Sequence, residues 1–217
     1  MVTRIISANA SEILKMNGAE LKQSIKASEG RTVLSENVVI EPAIDGLTTS
    51  EIAAAFGADL ILLNLFDTFN PKVSGLTVDK PEDTVKKLQK LTGRPIGVNL
   101  EPVDNSAKME STKLQISLGR TATADSIKAA EKLGFNFVCF TGNPGTGVTN
   151  KMIAKAVKTA KENFSGLIIA GKMHGAGVDE PIANEESVKA FLDAGADVIL
   201  VPAVGTVPGF TSEELIK

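Results

Sequence analysis

The chain has 217 residues, 43% of them hydrophobic and 23% charged, with a formal net charge of −3. This balance is ordinary for a globular protein, and with no dense Lys/Arg block it argues against a nucleic-acid surface. The longest apolar runs, such as DLILLNLF, are too short to cross a bilayer.

The charged N-terminal segment SEILKMNGAELKQSIKASEG predicts a solvated helix near 9–28, a cap on the floor of the fold that follows. No continuous apolar stretch precedes it, so no secretory signal is expected. TVLSE running into VVIEP predicts the first strand, and Asp45 with Gly46 reads as turn chemistry. A helix near 49–56, the strand DLILLN, a helix near 82–92 and the strand PIGVNL follow. The stretch 101–121, EPVDNSAKMESTKLQISLGRT, is too long for an ordinary connection and predicts a mobile flap or a small excursion. Beyond it come a helix near 123–133, the strand NFVCFT, a helix near 149–163, the strand GLIIAG, a helix near 184–194 and the strand DVILVPA. Cys139, the sole cysteine, lies inside an apolar run and reads as a small buried hydrophobe in a reduced, cytoplasmic setting.

Three of these segments echo one another. TSEIAAAFGADLILLN from Thr49, SIKAAEKLGFNFVCFT from Ser126 and SVKAFLDAGADVILVP from Ser187 each open on a hydroxyl suited to an N-cap. Each then runs as a short amphipathic helix, stops at Gly57, Gly134 or Gly195, and passes at once into a strand. The strands are continuously apolar rather than alternating, as expected when both faces are covered. Repeated helix–glycine–strand units imply an α/β fold of parallel strands with helical crossovers. About six of the eight units of a TIM-type (β/α) barrel are visible, so the expected fold is an incomplete barrel over 31–217, with residues 1–30 as its helical cap. A doubly wound open sheet is the alternative. The final TSEELIK reads as the opening turn of another helix, so that either the chain is a truncated form of a complete barrel or the fold is an open, incomplete one. Uncovered strand edges would favour a homo-oligomer.

In either fold the functional residues gather after the strand C-terminal ends. The first strand offers Glu36 and Glu41, according to its register; the second, Asn64 and Asp67; the third, Asn99 and Glu101; the fourth, Thr141 and Asn143. The fifth delivers Lys172 and His174, the only histidine, into the glycine-rich turn AGKMHGAG. A desolvated lysine could attack or polarise a carbonyl, with His174 shuttling protons and Glu36 or Glu41 as partner acid. A solvated Lys172 and a hydrogen-bonded His174 are the bland alternative.

TGNPGTGVT, residues 141–149, nearly fits a phosphate loop, but Val148 stands at the lysine position, which argues against nucleotide hydrolysis. Gly145 and Gly147 at a helix N-terminus would still suit an anion, against a plain connector. Gly205 and Thr206 in VPAVGTVPGF could hold a phosphate, or form a turn punctuated by Pro202 and Pro208. Glu36, Glu41, Asp67 and Glu101 are hard oxygen ligands suited to Mg²⁺, whereas one histidine excludes a multi-histidine zinc site.

IEPAIDGLTTSEIAAAFGADLILLN, FTGNPGTGVTNKMI and AGKMHGAG together resemble a bacterial barrel family labelled phosphoenolpyruvate-phosphonomutase-like or haloacid-dehalogenase-like hydrolase. The first label implies a magnesium barrel whose members in part carry a lysine–cysteine–glycine–histidine signature; GKMHG has methionine between lysine and histidine. The second implies Asp67, in LFDTFNP, as an attacking carboxylate. The leading expectation is a lyase, aldolase or isomerase acting on a small phosphorylated or carboxylated metabolite. An Asp67 hydrolase and a non-catalytic anion-binding barrel are the alternatives.

Overall fold

The computed structural model describes residues 3–110, 112–208 and 210–216. Six strands, β1 (Leu34–Val38), β2 (Leu60–Asn64), β3 (Ile96–Leu100), β4 (Phe137–Phe140), β5 (Leu167–Gly171) and β6 (Val198–Leu200), form one sheet in the order of the chain. All five pairings are parallel. The crossovers carry α3 (Thr49–Ala55), α4 (Thr84–Thr92), α5 (Ala124–Leu133), α6 (Asn150–Asn163) and α7 (Glu185–Ala194), and α8 (Ser212–Ile216) follows β6. A doubly wound sheet needs a point where strand order reverses, and this order has none. The sheet instead curls, strand after strand, into part of a (β/α) barrel.

Its two faces explain the unalternating strands. Ile61, Leu63, Ile96, Val98, Val138, Phe140, Ile168 and Ala170 point outward into a core shared with Val85, Leu88, Ile127, Ile153, Val157 and Phe191 of the helices. Leu60, Leu62, Phe137, Cys139, Leu167 and Ile169 point inward and pack with Ile5, Ile13 and Leu21 of the N-terminal segment. That segment lies across the floor. Gly18 abuts the Gly166 backbone so closely that any Cβ would collide, and Lys22 pairs with Asp197 at 3.2 Å. The expected single helix is in fact two, α1 (Ala10–Ile13) and α2 (Gly18–Ala27), because Asn17 and Glu20 close a capping box that restarts the helix.

The echoed units also shift by a few residues. The N-caps are Thr48, Thr123 and Asn184, while Ser126 and Ser187 answer from the third helical position. Gly57, Gly134 and Gly195 take the left-handed conformation that ends each helix. The 101–121 segment is a pinned excursion. Glu110 N–H donates to Gly177 O at 2.9 Å and Leu114 N–H to Gly145 O at 2.8 Å, strapping it over the loops after β4 and β5.

On the β1 side the inner face stays open, with Leu34 38% and Val38 44% exposed, while Asn37 and Val39 are buried beneath the outer layer. Inside the barrel, Gly97 leaves room for the Phe137 ring, which a methyl at 97 would overlap. Gly97→Ala is therefore expected to cost about 1–3 kcal/mol through overpacking. Circular dichroism melting should show a Tm lower by roughly 2–10 °C.

Candidate active site

The strand C-terminal ends frame a cavity of about 690 Å³. Its polar lining comes from Glu36 on β1, Asn64 on β2, Thr141 and Asn143 after β4, and His174 after β5. Leu62, Ile169 and Leu200 supply aliphatic wall, and Cys139 lies among them as a buried free thiol. The register of β1 settles the choice between its acids. Glu36, although solvent-exposed, shares the inner face with Leu34 and Val38 and lines the cavity, whereas Glu41 lies beyond the strand end and outside the lining.

Behind the polar wall stands Glu101, 1% exposed, with both oxygens committed. Oε1 accepts from Arg120 Nη2 at 2.6 Å, and Oε2 accepts from the Asn143 backbone N–H at 2.9 Å. The main chain doubles this tie, since Glu101 N–H donates to Arg120 O at 2.8 Å. Asn143, held in this way, pairs its carboxamide with that of Asn64 through two bonds of 2.9 and 3.0 Å. Asn64 Oδ1 also accepts from Asn99 Nδ2 at 3.2 Å and from the Leu65 N–H at 2.8 Å. Leu65 has φ +63°, an uncommon conformation for a residue with a side chain, and it sits where the site is built. Asn99 Oδ1 is buried with no partner among the described atoms, and Asn99 itself stands outside the cavity lining, reaching it only through Asn64.

The fifth strand end separates its two candidates. His174 turns into the cavity, and its Nδ1 accepts from the Ala176 N–H at 3.1 Å. Lys172 points the other way, fully buried, with Nζ 2.7 Å from Glu180 Oε1 and 3.3 Å from Val148 O. The same Glu180 oxygen accepts the Asn150 N–H at 2.6 Å, at the start of α6. The helix N-terminus thus receives an internal carboxylate, and Lys172 neutralises it. The amides of the glycine loop are likewise engaged within the protein: Gly147 N–H donates to Ala176 O at 3.0 Å and Thr146 N–H to Asn143 O at 3.2 Å. Gly145 and Gly147, both at positive φ, let the strap approach, with Leu114 against one and Met109 against the other.

Charge inside the cavity is adjusted from both directions. Burial, then the negative charge of Glu101, raises the Glu36 carboxyl above the usual range. Burial and the Lys172 ammonium lower His174, against an upward pull from Glu101. Burial, with the Glu36 charge, pushes the Cys139 thiol up and keeps it protonated.

Other expected residues stay away from this cavity. Asp67 Oδ1 accepts from Phe69 N–H at 2.8 Å and Asn70 N–H at 3.1 Å, closing a turn against Gly119. Gly205 and Thr206 form a self-contained turn in which both the N–H and the hydroxyl of Thr206 donate to Ala203 O. Among the described residues no three His, Cys, Asp or Glu side chains come together as metal ligands. The cavity presents one carboxyl and neutral carboxamides, and Glu101 is already spent, so the residues present do not build a magnesium site. Arg120, Ala176 and Glu180 were not anticipated; their sequence context carries no signal, because each acts through a partner distant in the chain.

This arrangement can be compared with known proteins. The model of a domain of unknown function, DUF7916, matches residues 6–217. The chain belongs to that family. No curated protein matches it in sequence. Among solved structures it is similar to 2,3-dimethylmalate lyase, a PEP mutase/isocitrate lyase superfamily member, in two crystal forms, with a TM-score of 0.51 for each. Identity is 12% and 14%, with 89% and 94% of this chain covered and 63% and 68% of those chains. At such identity the likeness speaks for the fold alone, a TIM-type barrel, and this chain spans about two thirds of the length of those chains. The haloacid-dehalogenase resemblance gains no support from these comparisons, and the Asp67 turn gives it none either.

The Lys172–Glu180 pair makes an asymmetric prediction. Glu180→Leu leaves a fully buried ammonium without its partner, and about 3 kcal/mol of stability should be lost. Lys172→Met leaves Glu180, whose side chain is 23% exposed, to water and to the α6 amide, so the loss should be distinctly smaller. Calorimetric unfolding of both variants checks the order.

Proposed function

We propose that the protein is an enzyme of lyase or isomerase type acting on a small carboxylated or phosphorylated metabolite. One observation carries this reading: a carboxyl raised from its ordinary value, Glu36, and an imidazole lowered from its own, His174, line a single cavity at the strand C-terminal ends. A carboxyl raised in this way is suited to giving up a proton, and an imidazole kept neutral beside it to polarising the group that reacts. Glu36, raised from its ordinary value, donates a proton to the oxygen or carbon that gains charge during bond cleavage or rearrangement. Asn64, Asn143 and Thr141 hold the polar end of the substrate, and Asn99 positions Asn64 from behind. The aliphatic wall of Leu62, Ile169 and Leu200 packs against its body.

Lys172 has no part in this chemistry, since its amine is bound on the helix side of the sheet. Glu101 acts behind the wall, and Arg120 behind Glu101. No step of this reading depends on magnesium. Association of copies belongs to the same reading, because β1 is an edge strand that leaves Leu34, Val38 and Ile40 in solvent.

The test is turnover of a panel of small hydroxy-, keto- and phosphono-carboxylates, followed by a pH–rate profile. A general acid works while it holds its proton, so kcat/KM should fall as pH rises through the raised pKa of Glu36. Glu36→Gln should lower kcat about 100-fold or more and abolish that limb. Binding of panel members without turnover would favour a non-catalytic anion-binding barrel. An unchanged Glu36→Gln profile would refute the assignment.

A further inference from the structure

We propose that His174 acts on its ligand as a neutral hydrogen-bond donor through Nε2–H, with Nδ1 permanently closed, rather than as a carrier of protons. This rests on the proposed site and assigns a role within it. The geometry begins at Ala176, a buried alanine with φ +54°, a conformation that residues with side chains seldom adopt. In that conformation Ala176 bonds in two directions. Its N–H donates to His174 Nδ1 at 3.1 Å, and its C=O accepts the Gly147 N–H at 3.0 Å. The loop after β5 is thereby fastened to the loop after β4, whose Asn143 is fixed in turn by Glu101 and Arg120.

A nitrogen that accepts a backbone N–H cannot also carry a proton. Protonating Nδ1 would set two N–H groups against each other and break the bond that holds the ring to its own loop. The neutral ring therefore carries its hydrogen on Nε2, the nitrogen left for the cavity. Removing that hydrogen would create an imidazolate, which lies far outside neutral pH. The imidazole can neither accept nor release a proton at low cost, and what remains is donation to a ligand oxygen.

Charged groups around the ring agree with this. Lys172, from the end of β5, opposes a second positive charge, and Glu180 partly offsets it from behind. Glu101 would favour imidazolium, but Arg120 pairs with it at 2.6 Å. Glu36 faces the cavity from β1 and is itself raised toward its neutral form. A neutral imidazole of this kind polarises a carbonyl or carboxylate oxygen without competing for the proton that Glu36 delivers. The ligand class that follows presents such an oxygen at the His174 side of the cavity.

The chain has one histidine, so a long-range ¹H–¹⁵N spectrum of the uniformly labelled protein contains a single imidazole. From about pH 7 to pH 8 it should show the Nε2–H tautomer alone, with protonation only below the ordinary histidine range. The Nδ1–H tautomer, a mixture of tautomers, or titration at or above the ordinary value would overturn the proposal. The second measurement uses oxalate as a small carboxylate probe. Binding should leave the ring neutral, and His174→Gln, which keeps an N–H donor, should retain most of the affinity. His174→Ala should lose roughly tenfold, the worth of one hydrogen bond to a charged oxygen. Imidazolium formation on oxalate binding would also overturn it. Failure of oxalate to bind at all would remove the carboxylated-metabolite reading, while the tautomer of the free protein still decides the role of His174.

Discussion

The commitment of both Glu101 oxygens is the constraint from which the mouth of this barrel is built. A carboxylate buried to 1% must have its charge balanced and its lone pairs met, and here the two demands are answered by different parts of the chain. Arg120 comes from the far end of the strap, and the Asn143 amide comes from the loop after β4. Removing either partner would leave a buried charge uncompensated, so strap and loop hold one relative position. Through Asn143 the constraint passes to Asn64 and Asn99, and through the same loop to Ala176 and His174.

A second buried charge solves a different problem. The start of α6 resembles an anion-binding turn, and such a terminus needs negative charge close to its free amides. Glu180 supplies it from within the chain, and Lys172 balances the pair from the end of β5. The glycine-rich loop is thus closed on itself, and its glycines serve the approach of the strap. The lysine absent from position 148 in the sequence is replaced in space by one from another strand, for a structural purpose. This division leaves the inner cavity to Glu36, His174 and the carboxamides, in which charge is muted rather than concentrated.

Much of the architecture was legible because it is local. Apolar runs bounded by glycine, with a capping residue before each helix, dictate helix–strand units whatever surrounds them. The inward convergence of Asn64, Asn143, Thr141 and His174 followed from the general rule that barrel sites form at strand ends. Where local patterns misled, the reason was also local. Asn17 restarted a helix that periodicity had drawn as continuous, and Asp67 satisfied neighbouring amides in a turn instead of facing the cavity.

By itself, the sequence determined the number of strands, their parallel sense and the identity of the polar tips, since these depend on patterns within some twenty residues; the order of the strands, which separates a barrel from a doubly wound sheet, came from the tertiary structure. Only the tertiary structure decided which tips act together. Lys172 and His174 are two residues apart, yet they lie on opposite sides of the sheet, because side chains after a strand follow the turn that the loop imposes. That turn is fixed by Ala176, Gly147, Glu101 and Arg120, whose bonds span distances in the chain that no local pattern encodes.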